Sequence, residues 1–366
     1  MGNIIDYVKA KEIQFEKEQF NEIDELILAR LSYFPLNGII KENEQITIEE
    51  SYHRFRLYGE TKNVLQKEDL ELFAVLANSQ RYANLKISKF VHYIDIKIEK
   101  QFSAITIFLP NDTIYVSYRG TDDTIVGWKE SFNMSFSTLV PSQIDAKEYL
   151  ENIASLYNSK IIVGGHSKGG NLAIYASAFC SQEIQQRIIA VYNNDGPGFH
   201  ESLLDGYGYK RIIDRIHTYR PQTSVIGRLL NNQGKSTIVK STQIGILQHD
   251  LYSWQVADDK FIREELTNSS DFIDETIKNW LKEVNPKQRQ IFINTLFDVI
   301  SSTGTKKLNE FGEKRLTKAF TILKNYQEVD EESKKVIMMT LKSLAKMTVT
   351  TNINIEKKIK NKISLK

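Results

Sequence analysis

The chain has 366 residues, of which 41% are hydrophobic and 26% are charged, and its formal net charge is +2. This composition is ordinary for a soluble globular protein, and the small net charge gives no reason to expect a nucleic acid as partner. A single cysteine, Cys180, excludes an intramolecular disulfide framework and fits a reducing compartment. Because we find neither a signal peptide nor an apolar run of membrane-spanning length, we expect a cytoplasmic protein.

The predicted secondary structure divides the chain into three segments. Residues 1–84 favour helices, because apolar residues recur there at three- and four-residue steps. From Leu85 the apolar period changes towards two, and strands then alternate with helices, so we predict a packed core over residues 85–257. Residues 258–366 favour helices almost throughout, and we predict a C-terminal helical region there.

The core segment predicts an α/β fold with a mainly parallel sheet. An antiparallel hairpin comes first, because a Pro-Asn-Asp turn separates two strand-like stretches. The later strands alternate with helices, which is typical of parallel pairing. The candidate strands are residues 90–98, 102–109, 113–118, 161–163, 187–192, 215–219, 237–241 and 245–247.

Residues 161–175 contain a motif that points to nucleophilic catalysis. Three β-branched residues precede Gly165-His-Ser-Lys-Gly169, and an apolar helical pattern follows it. A G-x-S-x-G sequence at a strand-to-helix turn presents a serine hydroxyl at the edge of the sheet, and its glycines leave room for a strained backbone. We predict that Ser167 is a nucleophile; a purely structural glycine-rich turn is the alternative.

A serine nucleophile needs a base, and in this chain order the base follows the acid. His249 lies in a loop after the last candidate strands. His217 falls in the middle of a predicted strand, and His200 follows the preceding strand too closely to come after a separate acid loop. His249 is therefore the predicted base, and a surface histidine is the alternative interpretation.

Three aspartates are candidates for the acid that orients the histidine. Asp195 ends a predicted strand in a Gly-Pro loop, where a carboxylate can be held towards an imidazole. Asp214 precedes its strand and so lies at the wrong end, and Asp250 adjoins His249, so that the two side chains would diverge. Asp195 is the predicted acid; a residue that only shapes the turn is the alternative.

Two backbone amides are predicted to stabilise an oxyanion. One belongs to Lys168, which follows the nucleophile, and the other to Thr121, which follows a strand end at Arg119-Gly120. The ammonium group of Lys168 would then either attract an anionic group of the substrate or point into solvent.

These motifs resemble the class 3 lipase branch of the α/β-hydrolases. The resemblance is carried by Val116-Ser-Tyr-Arg-Gly-Thr121, with Trp128 downstream, and by Val163-Gly-Gly-His-Ser-Lys-Gly-Gly170. It implies an α/β-hydrolase fold, to which the apolar periodicity of the flanking segments adds N-terminal helices and a C-terminal helical appendage. It also implies Ser167 as the nucleophile and His249 as the base.

The chain is more closely similar to a bacterial lipase-like family of unknown function, over roughly residues 1 to 260. The shared stretches are Asn21-Glu-Ile-Asp-Glu25, Asn194-Asp-Gly-Pro-Gly-Phe199, Pro221-Gln-Thr-Ser-Val-Ile-Gly227 and Gln248-His-Asp250 with Trp254.

One position departs from the class 3 lipase pattern. Those lipases carry their acid in the loop after the strand that corresponds to residues 215–219. Here that loop has no carboxylate, and Ser224 stands near the expected place. Either Asp195 supplies the acid from one strand earlier, or the triad is incomplete.

The leading hypothesis is a serine hydrolase that cleaves an ester or thioester acyl bond, as a lipase, esterase or thioesterase does. An apolar segment at residues 131–141 favours an acyl or lipid substrate over a peptide, and we expect neither a cofactor nor a metal ion. The alternative is a non-catalytic scaffold or interaction protein that uses its C-terminal helices. The basic stretch 351–366 either contacts an anionic membrane surface or forms a solvated tail.

Overall fold

The described chain forms two compact units. The first contains Met1–Asp122 and Thr138–Glu264, and the second contains Asp123–Ser137 and Glu265–Lys366. The predicted N-terminal helices and the predicted core thus belong to one unit, and the division into three segments stays a prediction. The computed structural model describes residues 2–61, 64–266, 284–301, 329–331, 333–339 and 342.

A mixed eight-stranded sheet lies at the centre of the described part of the first unit. Its strands are arranged side by side in chain order; neighbours from β1 to β4 pair antiparallel and neighbours from β4 to β8 pair parallel. The strands are β1 Ile46–Thr47, β2 Lys86–Asp95, β3 Lys100–Leu109, β4 Thr113–Tyr118, β5 Lys160–His166, β6 Ile188–Asn194, β7 Ile216–Pro221 and β8 Ser236–Val239.

The sheet confirms the predicted α/β fold. Strands β3 and β4 form the expected hairpin, with Leu109 opposite Thr113 across the predicted turn. The strands from β4 onward are parallel, and helices connect most of them. Because parallel strands end at one edge of a sheet, the loops that follow β4 to β8 gather at that edge.

Helices cover both faces of the sheet. On one face α1 to α4 pack against side chains such as Ile105, Tyr115 and Ile162. On the other face α6, α7 and α10 pack against Val116 and Val163, among others. The alternation along each strand follows from the two-residue period of β structure. The helices are α1 Ile4–Ala10, α2 Glu22–Leu31, α3 Ile48–Tyr58, α4 Glu68–Ala77, α5 Ile125–Asn133, α6 Pro141–Leu156, α7 Lys168–Phe179, α8 Gln182–Arg187, α9 Glu201–Leu204, α10 Tyr207–Ile212 and α11 Pro286–Ser301.

Local capping defines where α2 begins. The side chain of Asn21 accepts hydrogen bonds from the backbone N–H groups of Ile23 and Asp24, and Asp24 in turn accepts one from the backbone of Asn21. This capping box satisfies donors that would otherwise lack partners in the first turn. It explains the stretch Asn21-Glu-Ile-Asp-Glu25 as a helix start.

The structure corrects the sequence prediction after β8. Gly245–Leu247, a predicted strand, belongs to the 3-10 helix Gly245–His249. Gly245 has a positive φ of 58°, which an extended strand does not accommodate. The predicted helical character from residue 258 is also wrong at its start, because β9 (Val256–Ala257) pairs antiparallel with β10 (Lys260–Phe261).

The second unit is helical where it is described. Helices α5 and α11 share an apolar cluster, and the rings of Phe132 and Phe297 lie 5.9 Å apart. The basic stretch 351–366 lies outside the described residues, as do most of the predicted C-terminal helices. The apolar segment 131–141 is divided between the two units, and its role as cover for an acyl chain stays a prediction. No helix among the described residues is long and apolar enough to span a membrane.

A buried carboxyl group lies between α2 and the sheet. Glu25 is fully buried, and one of its oxygens accepts a hydrogen bond of 3.0 Å from the amide nitrogen of Asn194. Oε1 of Glu25 and Oδ1 of Asn194 have no hydrogen-bond partner among the described residues. Burial raises the pKa of Glu25 well above its usual value, which favours the protonated, uncharged carboxyl.

We expect Glu25→Gln to remove a pH-dependent contribution to stability. A raised folded-state pKa stabilises the native chain fully below the unfolded-state pKa of about 4.3, and this stability is lost as the pH rises through the folded-state pKa. Each unit of difference between the two pKa values amounts to about 1.4 kcal/mol. The free energy of unfolding, measured in urea, should therefore fall more from pH 5 to pH 9 in the wild type than in Glu25→Gln.

The control is Glu16→Gln, which removes an exposed carboxyl at the same cost in net charge. Parallel pH dependence in all three proteins would contradict a protonated Glu25.

Candidate active site

Ser167 lies in a strained turn between β5 and α7. Its backbone has φ 59° and ψ −132°, a conformation that costs free energy in any residue with a side chain. Two hydrogen bonds hold the turn: the N–H of Ser167 donates to the carbonyl of Asn194 at 2.9 Å, and the N–H of Gly170 donates to the carbonyl of Ser167 at 2.9 Å. The turn therefore has the strand-to-helix geometry that the sequence predicted for a nucleophile elbow.

The glycines of the motif are required by close packing. A Cβ atom on Gly165 would lie 2.6 Å from the carbonyl oxygen of Tyr118, and one on Gly169 would clash with the same oxygen. Any larger residue at either position would push α7 away from the end of β4, and Ser167 would move with it.

His249 and Asp195 form a hydrogen-bonded pair. Nδ1 of His249 lies 2.7 Å from Oδ2 of Asp195. The carboxylate is fully buried, whereas a quarter of the histidine side chain is exposed. An ionised carboxylate accepts from Nδ1–H, which leaves Nε2 of His249 unprotonated and able to take a proton.

The carboxylate of Asp195 is held from its other side by the loop after β7. The hydroxyl of Ser224 donates to Oδ1 of Asp195 and accepts a hydrogen bond of 2.9 Å from the N–H of Gly227. Asp195 itself has a left-handed φ of 54°, and its N–H donates to Tyr219 at 2.8 Å. Ser224, which stands near the place where the resemblance to class 3 lipases predicts an acid, thus contacts Asp195, the predicted acid one strand earlier.

Gln248 connects the loop that carries His249 to the loop after β7. Its side-chain oxygen accepts hydrogen bonds from the backbone N–H of Thr223 at 2.8 Å and from the Thr223 hydroxyl at 2.6 Å. Its backbone carbonyl accepts from the indole N–H of Trp254 at 2.9 Å. These contacts explain the stretch Gln248-His-Asp250 with Trp254 as a support for His249.

The other sequence candidates lie outside this pair. His217 is exposed on β7 and stacks on Tyr192, with ring centroids 5.1 Å apart. The carboxylate of Asp250 accepts hydrogen bonds from the backbone N–H of Tyr252 and from the side-chain amide of Gln66. It therefore contacts these residues and does not orient the adjacent His249. Asp214 lies directly before β7, at the opposite end of that strand from the loop that follows it, as predicted, and His200 is the residue before α9.

The predicted oxyanion loop lies against the nucleophile. A Cβ atom on Gly120 would be 2.9 Å from Cβ of Ser167 and 2.6 Å from the carbonyl oxygen of His166. Thr121 follows directly, and the N–H of Lys168 belongs to the first turn of α7, where backbone donors lack partners within the helix. The structure thus places Gly120, the residue before Thr121, against Ser167, and Lys168 directly follows Ser167. The role of Thr121 and Lys168 as oxyanion donors stays a prediction.

The side chain of Lys168 contradicts the sequence expectation. Lys168 is 1% exposed, and its ammonium donates to the backbone carbonyl of Gln101 at 2.7 Å and to its side-chain oxygen at 2.9 Å. The ammonium therefore points neither to a substrate nor into solvent. Its long apolar stem lets the charged group reach β3 inside the fold.

The reacting atoms of the predicted nucleophile and base are unengaged. Neither the Ser167 hydroxyl nor Nε2 of His249 makes a hydrogen bond within the described part of the chain. Catalytic hydrogen bonds are commonly long without substrate and shorten in the substrate complex.

Comparison with known proteins identifies the family. The Mbeg1-like family model matches residues 76–298, which is more than half of the chain. The chain belongs to the Mbeg1-like family. This lipase-like family covers the elbow, the Asp195 loop and His249, and the predicted lipase-like resemblance is confirmed. A comparison of this Mbeg1-like chain with curated proteins finds no match.

Several solved lipase structures are similar to the Mbeg1-like chain. M37 lipase is 16% identical over 57% of this chain and 70% of its own, with a TM-score of 0.37. The Rhizomucor miehei lipase–propeptide complex is 16% identical over 59% and 67%, with a TM-score of 0.36. Lip2 lipase from Yarrowia lipolytica is 11% identical over 46% and 70%, with a TM-score of 0.32. TM-scores below 0.5 do not establish a reaction for the Mbeg1-like chain.

Sequence reasoning missed two residues of the Mbeg1-like site, His166 and Tyr33. The rings of His166 and His249 lie 4.6 Å apart, and Tyr33 contacts His166 from the end of α2. His166 is inside the G-x-S-x-G motif, so its position was a signal for proximity to the nucleophile. Tyr33 is 133 residues away from His166, and no local pattern connects them.

We expect Ser224→Ala to destabilise the fold more than the loss of an ordinary buried hydroxyl. A hydrogen bond to a charged group contributes about 1.5–3 kcal/mol, compared with about 0.5–1.5 kcal/mol for a neutral pair. Ser224→Ala also deprives the N–H of Gly227 of its acceptor. The free energy of unfolding from urea titration measures the difference.

Ser177→Ala is the matched control, because Ser177 is fully buried and its hydroxyl donates only to the neutral carbonyl of Ala173. Equal losses in the two variants would show that Ser224 does not support a charged carboxylate.

Proposed function

We propose that this chain is a serine hydrolase that cleaves an ester or thioester acyl bond. Ser167 acts as nucleophile, His249 as general base and acid, and Asp195 as the carboxylate that orients His249. The backbone N–H groups of Thr121 and Lys168 stabilise the oxyanion. The proposal extends the lipase-like character of the family to a specific reaction and to specific residues.

The observation that carries the proposal is the contact between Nδ1 of His249 and Oδ2 of Asp195, at 2.7 Å. A fully buried carboxylate is costly unless it has a hydrogen-bonded partner of opposite charge. A histidine that becomes an imidazolium during catalysis is such a partner. The pair of His249 and Asp195 lies at the same edge of the sheet as the strained Ser167. This placement supports a nucleophile–base–acid arrangement over a purely structural turn.

Acylation begins with Nε2 of His249 unprotonated, so that it can accept a proton. Oγ of Ser167 attacks the carbonyl carbon of the substrate while its proton passes to Nε2 of His249, and the carbonyl oxygen becomes an oxyanion. Asp195 stabilises the imidazolium because its carboxylate remains charged. The tetrahedral intermediate then expels the alcohol or thiol, which takes the proton from Nε2, and the acyl group remains on Ser167.

Deacylation repeats these steps with water. Water gives a proton to Nε2 of His249 and attacks the acyl carbon, and a second oxyanion forms at the same donors. Its collapse releases the carboxylic acid and returns the proton from His249 to Ser167. The site needs no further group to balance the reaction.

Exposed apolar residues beside His249 support an acyl or lipid substrate. Ile244, Ile246 and Leu247 are 53%, 60% and 60% exposed, and all three lie within five residues of His249. Apolar side chains of this size are usually buried, and a cluster of exposed ones indicates contact with an apolar partner. The hydrocarbon chain of an acyl substrate, which extends from the reacting carbonyl, would cover these three side chains.

We expect a fluorophosphonate probe to label the wild-type chain at Ser167 and to leave Ser167→Ala unlabelled. The probe forms a covalent bond only with an activated serine, so labelling reports the pairing of nucleophile and base. Peptide mass spectrometry identifies the labelled residue. Labelling that is absent from the wild type, or that persists in Ser167→Ala, would contradict the proposal.

We expect Asp195→Asn to lower kcat for p-nitrophenyl esters by about 10⁴-fold, because an amide favours the wrong tautomer of the histidine. Asp250→Asn is the matched control, since Asp250 adjoins His249 but caps Tyr252 instead. Its kcat should stay within a few-fold of the wild type. Similar losses in both variants would argue against Asp195 as the acid, and no turnover in any protein would favour a non-catalytic scaffold.

A further inference from the structure

The hydroxyl of Tyr33 connects two loops of the candidate active site. Tyr33 is 3% exposed and follows the end of α2. Its oxygen accepts a hydrogen bond of 2.9 Å from the N–H of Gly120, the residue before Thr121. It also lies 3.2 Å from the carbonyl oxygen and 3.3 Å from Nδ1 of His166, the residue before Ser167. One side chain thus joins the oxyanion loop to the elbow.

His166 extends this connection to the loop that carries His249. Its Nε2 lies 2.8 Å from the backbone carbonyl of His249, and the two imidazole rings are tilted by 31° at a centroid distance of 4.6 Å. His166 is 5% exposed, so these contacts are made away from solvent. A carbonyl oxygen can only accept, which makes Nε2 of His166 the protonated nitrogen and Nδ1 the acceptor.

The protonation states of both side chains suit these hydrogen bonds. Burial raises the pKa of Tyr33 to about 12, so its hydroxyl keeps a proton to donate. Burial, together with the nearby His249 and Arg30, lowers the pKa of His166 well below its usual value. His166 is therefore neutral when His249 becomes protonated, and the two rings do not compete for the transferred proton.

A buried ion pair holds Tyr33 from behind. The guanidinium of Arg30 lies 4.2 Å from the centre of the Tyr33 ring and donates to both oxygens of Asp69, at 2.6 and 2.8 Å. The hydroxyl of Tyr252, three residues after His249, donates to Asp69 at 2.6 Å. The same network therefore supports Tyr33 and the chain that follows His249.

From these contacts we infer that Tyr33 and His166 are positioning residues that fix the oxyanion loop, the nucleophile and the base relative to one another. The inference rests on the proposed hydrolase function. Neither residue takes part in proton transfer. Tyr33 fixes the position of the N–H of Gly120, the residue before Thr121. His166 fixes the position of the His249 backbone relative to Ser167.

The test is Tyr33→Phe, which removes the hydroxyl and keeps the ring. We expect kcat for a p-nitrophenyl ester and the rate of fluorophosphonate labelling to fall by about 10- to 100-fold, because small displacements of reacting groups cost up to about 10²-fold in rate. KM should change by less than about threefold, since the substrate is not contacted.

Tyr149→Phe is the matched control. Tyr149 is buried, and its hydroxyl makes hydrogen bonds to Thr106 and to the carbonyl of Lys89, neither of which belongs to the predicted site. Assays are run at a temperature where circular dichroism shows every variant folded. A merely structural role for Tyr33 predicts equal kcat in Tyr33→Phe and Tyr149→Phe.

A pair of substitutions tests His166 independently. His166→Gln keeps an amide N–H near the position of Nε2 and can still donate to the carbonyl of His249, whereas His166→Leu cannot. We expect His166→Gln to retain at least tenfold more kcat than His166→Leu, with similar KM in both.

The outcomes separate this inference from the proposed function. A wild type that the probe does not label overturns both. A labelled wild type with Tyr33→Phe equal to Tyr149→Phe, or with His166→Leu equal to His166→Gln, overturns the positioning role and leaves the hydrolase proposal intact. A selective loss of kcat in Tyr33→Phe and His166→Leu supports it.

Discussion

The buried charge of Asp195 is the constraint on which the rest of the candidate site depends. A carboxylate without water must receive hydrogen bonds on both oxygens, and here one oxygen is served by His249 and the other by Ser224. Each partner comes from a different loop at the carboxyl edge of the sheet. Asp195 therefore connects the loops that follow β6, β7 and β8. Gln248 connects the last two of these loops a second time, through its hydrogen bond with Thr223.

The N-terminal helices belong to the site as much as the strands do. Helix α2 covers one face of the sheet, and it carries Glu25 against Asn194 and ends next to Tyr33. The backbone carbonyl of Asn194 accepts the hydrogen bond from the N–H of Ser167, so the residue that contacts Glu25 also holds the strained turn. The N-terminal helical segment thus contacts both the turn that carries the predicted nucleophile and the predicted oxyanion loop.

The sequence was most informative where chemistry and local structure coincide. The G-x-S-x-G turn required its glycines for reasons that are visible within five residues, and the alternation of strands and helices predicted the parallel sheet. Chain order and the Gly-Pro loop singled out His249 and Asp195, which the structure brings within hydrogen-bond distance.

Long-range partners had no such signal in the sequence. Tyr33, Arg30 and Asp69 meet the site only after folding, and the buried end of Lys168 depended on Gln101, 67 residues earlier. The 3-10 helix before His249 was mistaken for a strand because its apolar residues carry the same short pattern.

The hydrogen bonds that assemble the site span very different lengths of chain. The Ser224 contact to Asp195 joins residues 29 positions apart, His249 and Asp195 are 54 apart, His166 and His249 are 83 apart, and Tyr33 and His166 are 133 apart. Contacts of high sequence separation carry a large loop-closure entropy and form after local structure during folding. The left-handed backbone at Ser167 and Asp195 is also maintained by neighbouring strands and not by local propensity. The candidate site therefore exists only when strands β5 to β8 and helix α2 are assembled, and no single segment of the chain contains it.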